Sequence, residues 1–308
     1  MPPILAMSHP EFTLVAGTIT AIETDPAAIR FDIAETLRGS AKGSVRLLVD
    51  RAHLRRLSPG SKFLALYTDM VNAPLKPRKF LRDPDQARLM SFDGVPLTLF
   101  RDTPEWRALL THPEPADWAA SATYRAGLID GLDHPDAGWR TLWAAEIALR
   151  AGHLAPFNDR EQKAIQQFAM SPLQSPEARA NLIQVAAANR GIFGQDWLEP
   201  TVAAVLETLA SSADSTMSPA QQQLALVALR IAHEKPGHVS AETLFVWLQS
   251  SPILAETAAL ALRALDPKLE RQGLERSLAL TLLDTETRHH LELHQKRLAQ
   301  TTASDMKH

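Results

Sequence analysis

The side chains best suited to chemistry lie near the end of the sequence. Glu286, His290 and His294 follow one another at intervals of four residues, with His289 adjacent. Such intervals place side chains along one face of a helix, where histidine and carboxylate groups together can bind zinc. The stretch lacks the H-E-x-x-H pattern of zinc proteases. The three residues are therefore candidate metal ligands, and a solvated polar helix face is the alternative.

A second candidate is the main concentration of positive charge. Lys76, Arg78 and Lys79 lie in a proline-containing stretch next to Phe80 and Arg82. A basic loop on a small barrel can bind single-stranded nucleic acid through phosphate contacts and base stacking. Aromatic residues make up only 6% of the chain, so stacking platforms are scarce. The three basic residues are candidate partner-binding residues, nucleic acid is the less favoured partner, and a solvated loop is the alternative.

Familiar catalytic motifs are missing from the sequence. The chain has no cysteine, which excludes disulfides, thiolate zinc sites and cysteine nucleophiles. It contains neither a G-x-S-x-G element nor a glycine-rich phosphate loop. No cofactor is predicted. The histidines near the end of the sequence, His290 and His294, are the one reason to expect an enzyme.

The composition is that of a folded globular protein. The chain has 308 residues, of which 45% are hydrophobic, and a formal net charge of -3. Near-neutral charge gives no strong electrostatic case for binding nucleic acid or an anionic membrane. No uninterrupted apolar run approaches the roughly 20 residues that span a bilayer.

The N-terminus allows two interpretations. Met1–Ala6 is apolar and ends in a small residue, as does the tail of a signal peptide whose start was placed too late. It lacks a basic segment and a full apolar segment, so a frayed terminus is the alternative. The first interpretation predicts a periplasmic or secreted protein, and the second a cytoplasmic one.

The first hundred residues have the short period of β-structure. Ile29, Phe31 and Ile33 alternate with polar residues and are predicted to face inward. Asp93-Gly94 predicts a hairpin between residues 89–92 and 95–100. The other strands are predicted at residues 12–22, 29–33, 44–49 and 62–67.

Three stretches of this region carry a family resemblance. Val15–Ile22, Arg30–Gly39 and Leu57–Leu64 resemble the N-terminal barrel of many uncharacterised bacterial exported proteins, which has a netrin-like, OB-type fold. The resemblance covers residues 12–70 and implies a small antiparallel β-barrel, assigned to residues 1–102. Netrin-like inhibitors of metalloproteinases use an N-terminal cysteine, which this chain lacks, so their activity is not implied.

After residue 100 the pattern becomes helical. A capping residue followed by proline marks a helix start, because the N–H that proline lacks has no partner in the first turn. This signal occurs at Thr103-Pro104, Ser175-Pro176, Ser218-Pro219, Ser251-Pro252 and Asp266-Pro267.

The helical part also contains a repeat. Arg150, Arg190 and Arg230 end similar apolar stretches at a spacing of 40 residues, and Arg263 follows after 33. A helix with one apolar face must stack on its neighbours, so a helix–turn–helix unit of this period predicts an array. The period resembles HEAT-like repeats, although the regular internal proline and aspartate are missing. The resemblance implies an all-α solenoid over residues 103–308.

The recurring arginines allow two interpretations. A ladder of arginines can bind an anionic partner. Alternatively, each arginine interacts with the negative end of a helix dipole and covers apolar surface with its stem, which is the favoured interpretation.

Together these patterns predict an α+β protein in two segregated parts, an OB- or netrin-like barrel and a HEAT-like solenoid. The repeats without a catalytic constellation favour a non-catalytic scaffold of the bacterial envelope, binding a protein or peptide partner through the repeats. A metal-dependent enzyme that uses the late histidines and a single-stranded nucleic-acid binder are the alternatives.

Overall fold

A computed structural model describes residues 2–41, 43–69, 86–89, 98–111, 122–194, 196–211 and 217–305. By their internal contacts the residues form two compact units. The first contains residues 1–128 and 141–149, and the second residues 129–140 and 150–308. The first unit thus includes helical segments as well as the strands, and the division between residues 102 and 103 stays a prediction.

The strands of the first unit close into a five-stranded barrel. Its strand order is β1, β2, β3, β5, β4 and back to β1, with β6 added beside β4. Strands β3 and β5 pair in parallel, whereas the other pairings are antiparallel. A closed ring with an odd number of strands cannot alternate in direction throughout, so the predicted antiparallel barrel must contain one parallel pair. The strands are β1 (Thr13–Thr24), β2 (Ala27–Arg38), β3 (Ser44–Leu48), β4 (Lys62–Asp69), β5 (Gln86–Leu89) and β6 (Leu99–Arg101).

The barrel core follows the alternation in the sequence. Ile29 and Phe31 are fully buried and Ile33 packs against them, as predicted. Gly17 lies at a close approach of β1 and β2: a Cβ atom there would be 2.1 Å from the carbonyl oxygen of Asp32. Only glycine fits this close approach of two backbones.

Strands β5 and β6 lie end to end along one edge of β4. Leu89 pairs with Tyr67 and Leu99 with Ala65, while the N–H of Leu66 donates to the carbonyl oxygen of Thr98. Both strands are antiparallel to β4, so they run in the same direction and their described residues do not pair as the predicted hairpin. Residues 90–97, including Asp93-Gly94, lie outside the described residues.

Arg38 ties together three segments at one end of the barrel. Its Nε donates to the carbonyl oxygen of Phe12 at 3.2 Å, and its two Nη groups donate to those of Leu110 and Met7. Burial lowers the pKa of Arg38 from its ordinary value. The helices in the N-terminal half are α1 (Pro3–Met7), α2 (Arg51–Leu54), α3 (Pro104–Thr111), α4 (Ala122–Asp130) and α5 (Ala137–Arg150).

All five predicted helix starts are confirmed, since helices begin at each of the prolines that follow a capping residue. None of the helices in the described ranges is long and apolar enough to cross a membrane. The later helices are α6 (Asp159–Met170), α7 (Pro176–Ala188), α8 (Arg190–Phe193), α9 (Leu198–Ala210), α10 (Pro219–Glu234), α11 (Ala241–Trp247), α12 (Pro252–Leu265), α13 (Pro267–Leu278) and α14 (Thr285–Asp305).

The helices of the second unit contact one another in two rows. Helices α6, α9, α11 and α13 follow one another in one row, and α7, α10, α12 and α14 in the other. Contacts between α6 and α7, α9 and α10, α11 and α12, and α13 and α14 join the rows. Gly273 lets α13 approach α11, because a Cβ atom there would lie 2.8 Å from Leu248 and 3.0 Å from Phe245.

Candidate functional site

An open groove lies between the last three helices of the second unit. Helices α12, α13 and α14 enclose a volume of about 840 Å³. Leu260 of α12 and Leu298 of α14 are partly exposed and contribute apolar surface, and the buried Leu274 of α13 borders the groove. Charged side chains from the same three helices line the remainder, so the groove presents apolar and charged surfaces side by side.

Local capping determines where the helices around the groove begin. Pro267 follows Asp266, whose Oδ1 accepts the backbone N–H of Lys268 at 2.8 Å. At the start of α14, Asp284 accepts the N–H of Thr287 at 3.0 Å, and this hydrogen bond lowers the pKa of the Asp284 carboxyl. These caps set the ends of α13 and α14, and hence which of their residues reach the groove.

Glu270 is the centre of a polar network in this groove. Its side chain is 2% exposed. Its Oε2 accepts Nε of Arg263 at 2.8 Å, and its Oε1 lies 2.8 Å from Nε2 of His294. A buried carboxylate needs partners on both oxygens, and here α12 supplies one and α14 the other.

The second nitrogen of His294 faces another carboxylate. Its Nδ1 lies 4.0 Å from Oε1 of Glu256, an oxygen that Nη1 of Arg297 approaches to 3.8 Å. In a neutral imidazole whose Nε2–H donates a hydrogen bond to Glu270, Nδ1 carries a lone pair that faces Glu256. An imidazolium ring would instead direct an N–H group toward each of the two carboxylates. The hydrogen bond with Glu270 therefore holds His294 in orientation, and Glu256 lies beyond hydrogen-bond distance of its other nitrogen.

The predicted metal ligands are not brought together around one point. The side chain of His294 is buried against Glu270, whereas Glu286 and His290 are exposed. Helix α14 advances about 100° per residue, so positions eight residues apart are rotated by about 80°. Within the described residues no group of three or more histidine, aspartate or glutamate side chains is arranged to hold a metal ion.

The other sequence candidates fall in different places. Lys76, Arg78 and Lys79 lie outside the described residues, so the basic-loop prediction stays a prediction. The recurring arginines differ in their burial and surroundings: Arg150, Arg190, Arg230 and Arg263.

The differences among these arginines are specific. Arg150 is buried and ends α5, Arg230 is exposed, and Arg190 begins α8 rather than ending a helix. Arg190 donates to Glu199 at 2.5 Å. Burial raises the pKa of Glu199, but this hydrogen bond, a backbone hydrogen bond and the charge of Arg190 together lower it below its ordinary value. Only Arg263, among the four, lines the groove.

Sequence reasoning missed Glu256 and Glu270 as members of this site. Glu270 lies seven residues after Arg263, on the far side of the Asp266-Pro267 turn, and that spacing was the available signal. The predicted helix start at Pro267 places Arg263 and Glu270 on two consecutive helices, α12 and α13, that contact each other. The sequence therefore placed the two residues near one another, but it did not indicate that Glu270 is buried.

Comparisons with known proteins add no family to this picture. No model of a protein family, no curated protein and no solved structure matches the chain.

Proposed function

We propose that the protein is a non-catalytic interaction protein whose helical second unit binds a peptide or protein segment in the α12–α14 groove. The observation that carries the proposal is the groove itself, in which leucines and fixed charges lie side by side. Peptides present both kinds of surface at short intervals, so such a groove fits an extended or helical segment.

The contact pattern supports a repeat architecture for this unit. In a solenoid each helical hairpin contacts the hairpins before and after it, and two parallel rows of helices result. The rows α6–α9–α11–α13 and α7–α10–α12–α14 have this property. They support the HEAT-like interpretation of the 40-residue spacing, and repeat arrays commonly bind extended partners on their surfaces.

The barrel's strand order supports the OB-type interpretation. OB folds are five-stranded barrels, and the ring β1-β2-β3-β5-β4 has that number of strands and closes on itself. The short helix α2 lies between β3 and β4 in the chain. We assign the barrel no ligand, because the basic stretch that motivated nucleic-acid binding is outside the described residues.

Selection from a random peptide library on the full-length protein tests the proposal. Enriched peptides should bind Leu298→Glu at least about tenfold more weakly than the unaltered protein, because a charge then occupies the apolar side of the groove. Leu282→Glu is the matched control, since Leu282 is 99% exposed and does not line the groove. Failure to enrich any peptide, or equal weakening by both substitutions, contradicts the proposal.

A further inference from the structure

Arg263 is the cation in the groove whose orientation is fixed and whose charge-bearing end remains available. Nε of Arg263 donates to Glu270, which His294 holds from the opposite side. The Arg263 side chain is 41% exposed. Within the described residues its two Nη groups donate to no protein acceptor. The hydrogen bond between Nε and the buried Glu270 carboxylate therefore orients these two Nη groups as donors in the groove.

The surroundings of Arg263 favour one kind of anion. Glu256 and Glu275 line the same groove together with Arg271 and Arg297, so the charges around Arg263 balance and give a polyanion or a phosphate dianion no net attraction. Leu260 and Leu298, both partly exposed, offer apolar surface in the same groove. The matching ligand is a carboxylate with an apolar group attached and with N–H donors for the glutamates.

The last residue of a peptide combines these three features on one carbon atom. It carries the terminal carboxylate, a side chain that is apolar in many sequences, and a backbone N–H. An aspartate or glutamate side chain within a peptide lacks the adjacent apolar group. We propose that the α12–α14 groove binds the free C-terminus of a peptide with an apolar last residue, Arg263 binding its carboxylate. This inference rests on the proposed function and specifies the partner.

An array of random C-terminal peptides, each made as a free acid and as a C-terminal amide, tests this proposal. Binding of the full-length protein should be confined to free acids with an apolar last residue. For a bound sequence, calorimetry should show the amide binding about 10–100-fold more weakly, since one hydrogen-bonded charge pair is lost.

The variant Arg263→Gln/Glu270→Gln removes the guanidinium and leaves no buried charge unpaired. The double variant should weaken binding of the free acid by a similar factor and binding of the amide by much less, so that the preference for the free acid is lost. Arg276→Gln is the matched control, because Arg276 lies on α13, is exposed beside Glu242, and does not line the groove. Thermal unfolding of each variant shows whether it folds. If the double variant does not fold, Arg263→Lys replaces it, because lysine keeps the positive charge but loses the planar set of guanidinium N–H donors.

The outcomes separate the inference from the proposed function. Equal binding of acids and amides, or acid-selective binding that is insensitive to Arg263, overturns the inference while peptide binding stands. Absence of binding by every peptide overturns both.

Discussion

Glu270 is the residue on which the last three helices converge. It is almost fully buried, and its partners Arg263 and His294 come from two other helices. Glu275, on the same helix, also lines the groove but is exposed. The two glutamates therefore allow the contribution of burial to be separated from that of charge.

Replacement of Glu270 by glutamine should destabilise the second unit. The amide can satisfy only part of the carboxylate's hydrogen bonding and leaves the Arg263 charge uncompensated. Arg263 is partly exposed, so we expect a loss of about 1–3 kcal/mol in the free energy of unfolding. Urea denaturation followed by circular dichroism measures it. Glu275→Gln should change the same quantity by less than about 0.5 kcal/mol, and equal effects would contradict the role given to Glu270.

In the first unit, Asp102 and Arg107 form an ion pair, as Glu270 and Arg263 do in the second unit. Nε and Nη2 of Arg107 donate to the two carboxylate oxygens at 2.5 and 2.9 Å, while Nη1 donates to Glu35 at 2.6 Å. These hydrogen bonds from Arg107 lower the pKa of Asp102 in the folded protein. The unfolded state then binds more protons than the folded state as the pH falls.

Asp102 should therefore contribute less to stability in acid. Its contribution is fully present above the unfolded pKa of about 3.9 and is lost as the pH falls through the lower folded pKa. The stability difference between the unaltered protein and Asp102→Asn should shrink from neutral pH toward about pH 3. Urea unfolding over this range measures the difference, and Glu242→Gln, at an exposed ion pair, is the control. A difference that does not vary with pH would refute the prediction.

At the scale of elements, helix starts were predictable and contacts between elements were not. The combination of a capping residue and proline acts through local backbone chemistry, so it was visible at Pro219 and Pro267, where Ser218 and Asp266 accept backbone N–H groups of the first turn. The burial of His294 depends on Glu256 and Glu270 from two other helices, which no spacing within α14 reveals. Similarly, the Asp93-Gly94 signal is local, whereas the pairing of β5 and β6 depends on the edge offered by β4.

Gly273 lies at a close contact between α13 and α11. Gly273→Val should lower the free energy of unfolding by about 1–3 kcal/mol, because the new side chain would meet Leu248 and Phe245. The row α11–α13 should loosen, and hydrogen exchange should increase in both helices. Gly191→Val is the matched control in α8, since a Cβ atom there meets nothing within 4 Å. If exchange in α11 and α13 increases no more in Gly273→Val than in Gly191→Val, the close approach has no energetic importance.

At the scale of the whole molecule, the overall charge balance indicates which class of partner the protein favours. The chain carries 32 basic and 35 acidic residues, so long-range attraction for polyanions is weak. The groove shows the same balance, because three arginines and three glutamates line it. Both scales favour a short peptide segment over nucleic acid.

A fluorescent oligothymidine should therefore bind the full-length protein no more tightly than nonspecific complexes do, with Kd above about 1 μM at physiological salt. The neutral variant Lys76→Ser/Arg78→Ser/Lys79→Ser should behave in the same way, and fluorescence anisotropy over a series of salt concentrations measures both. Binding tighter than this limit, weakened by salt and abolished in the neutral variant, would instead assign a nucleic-acid function to the basic stretch. Because the variant leaves the α12–α14 groove unaltered, its peptide affinity should be unchanged in either case, which distinguishes a second binding site from a failure of the first.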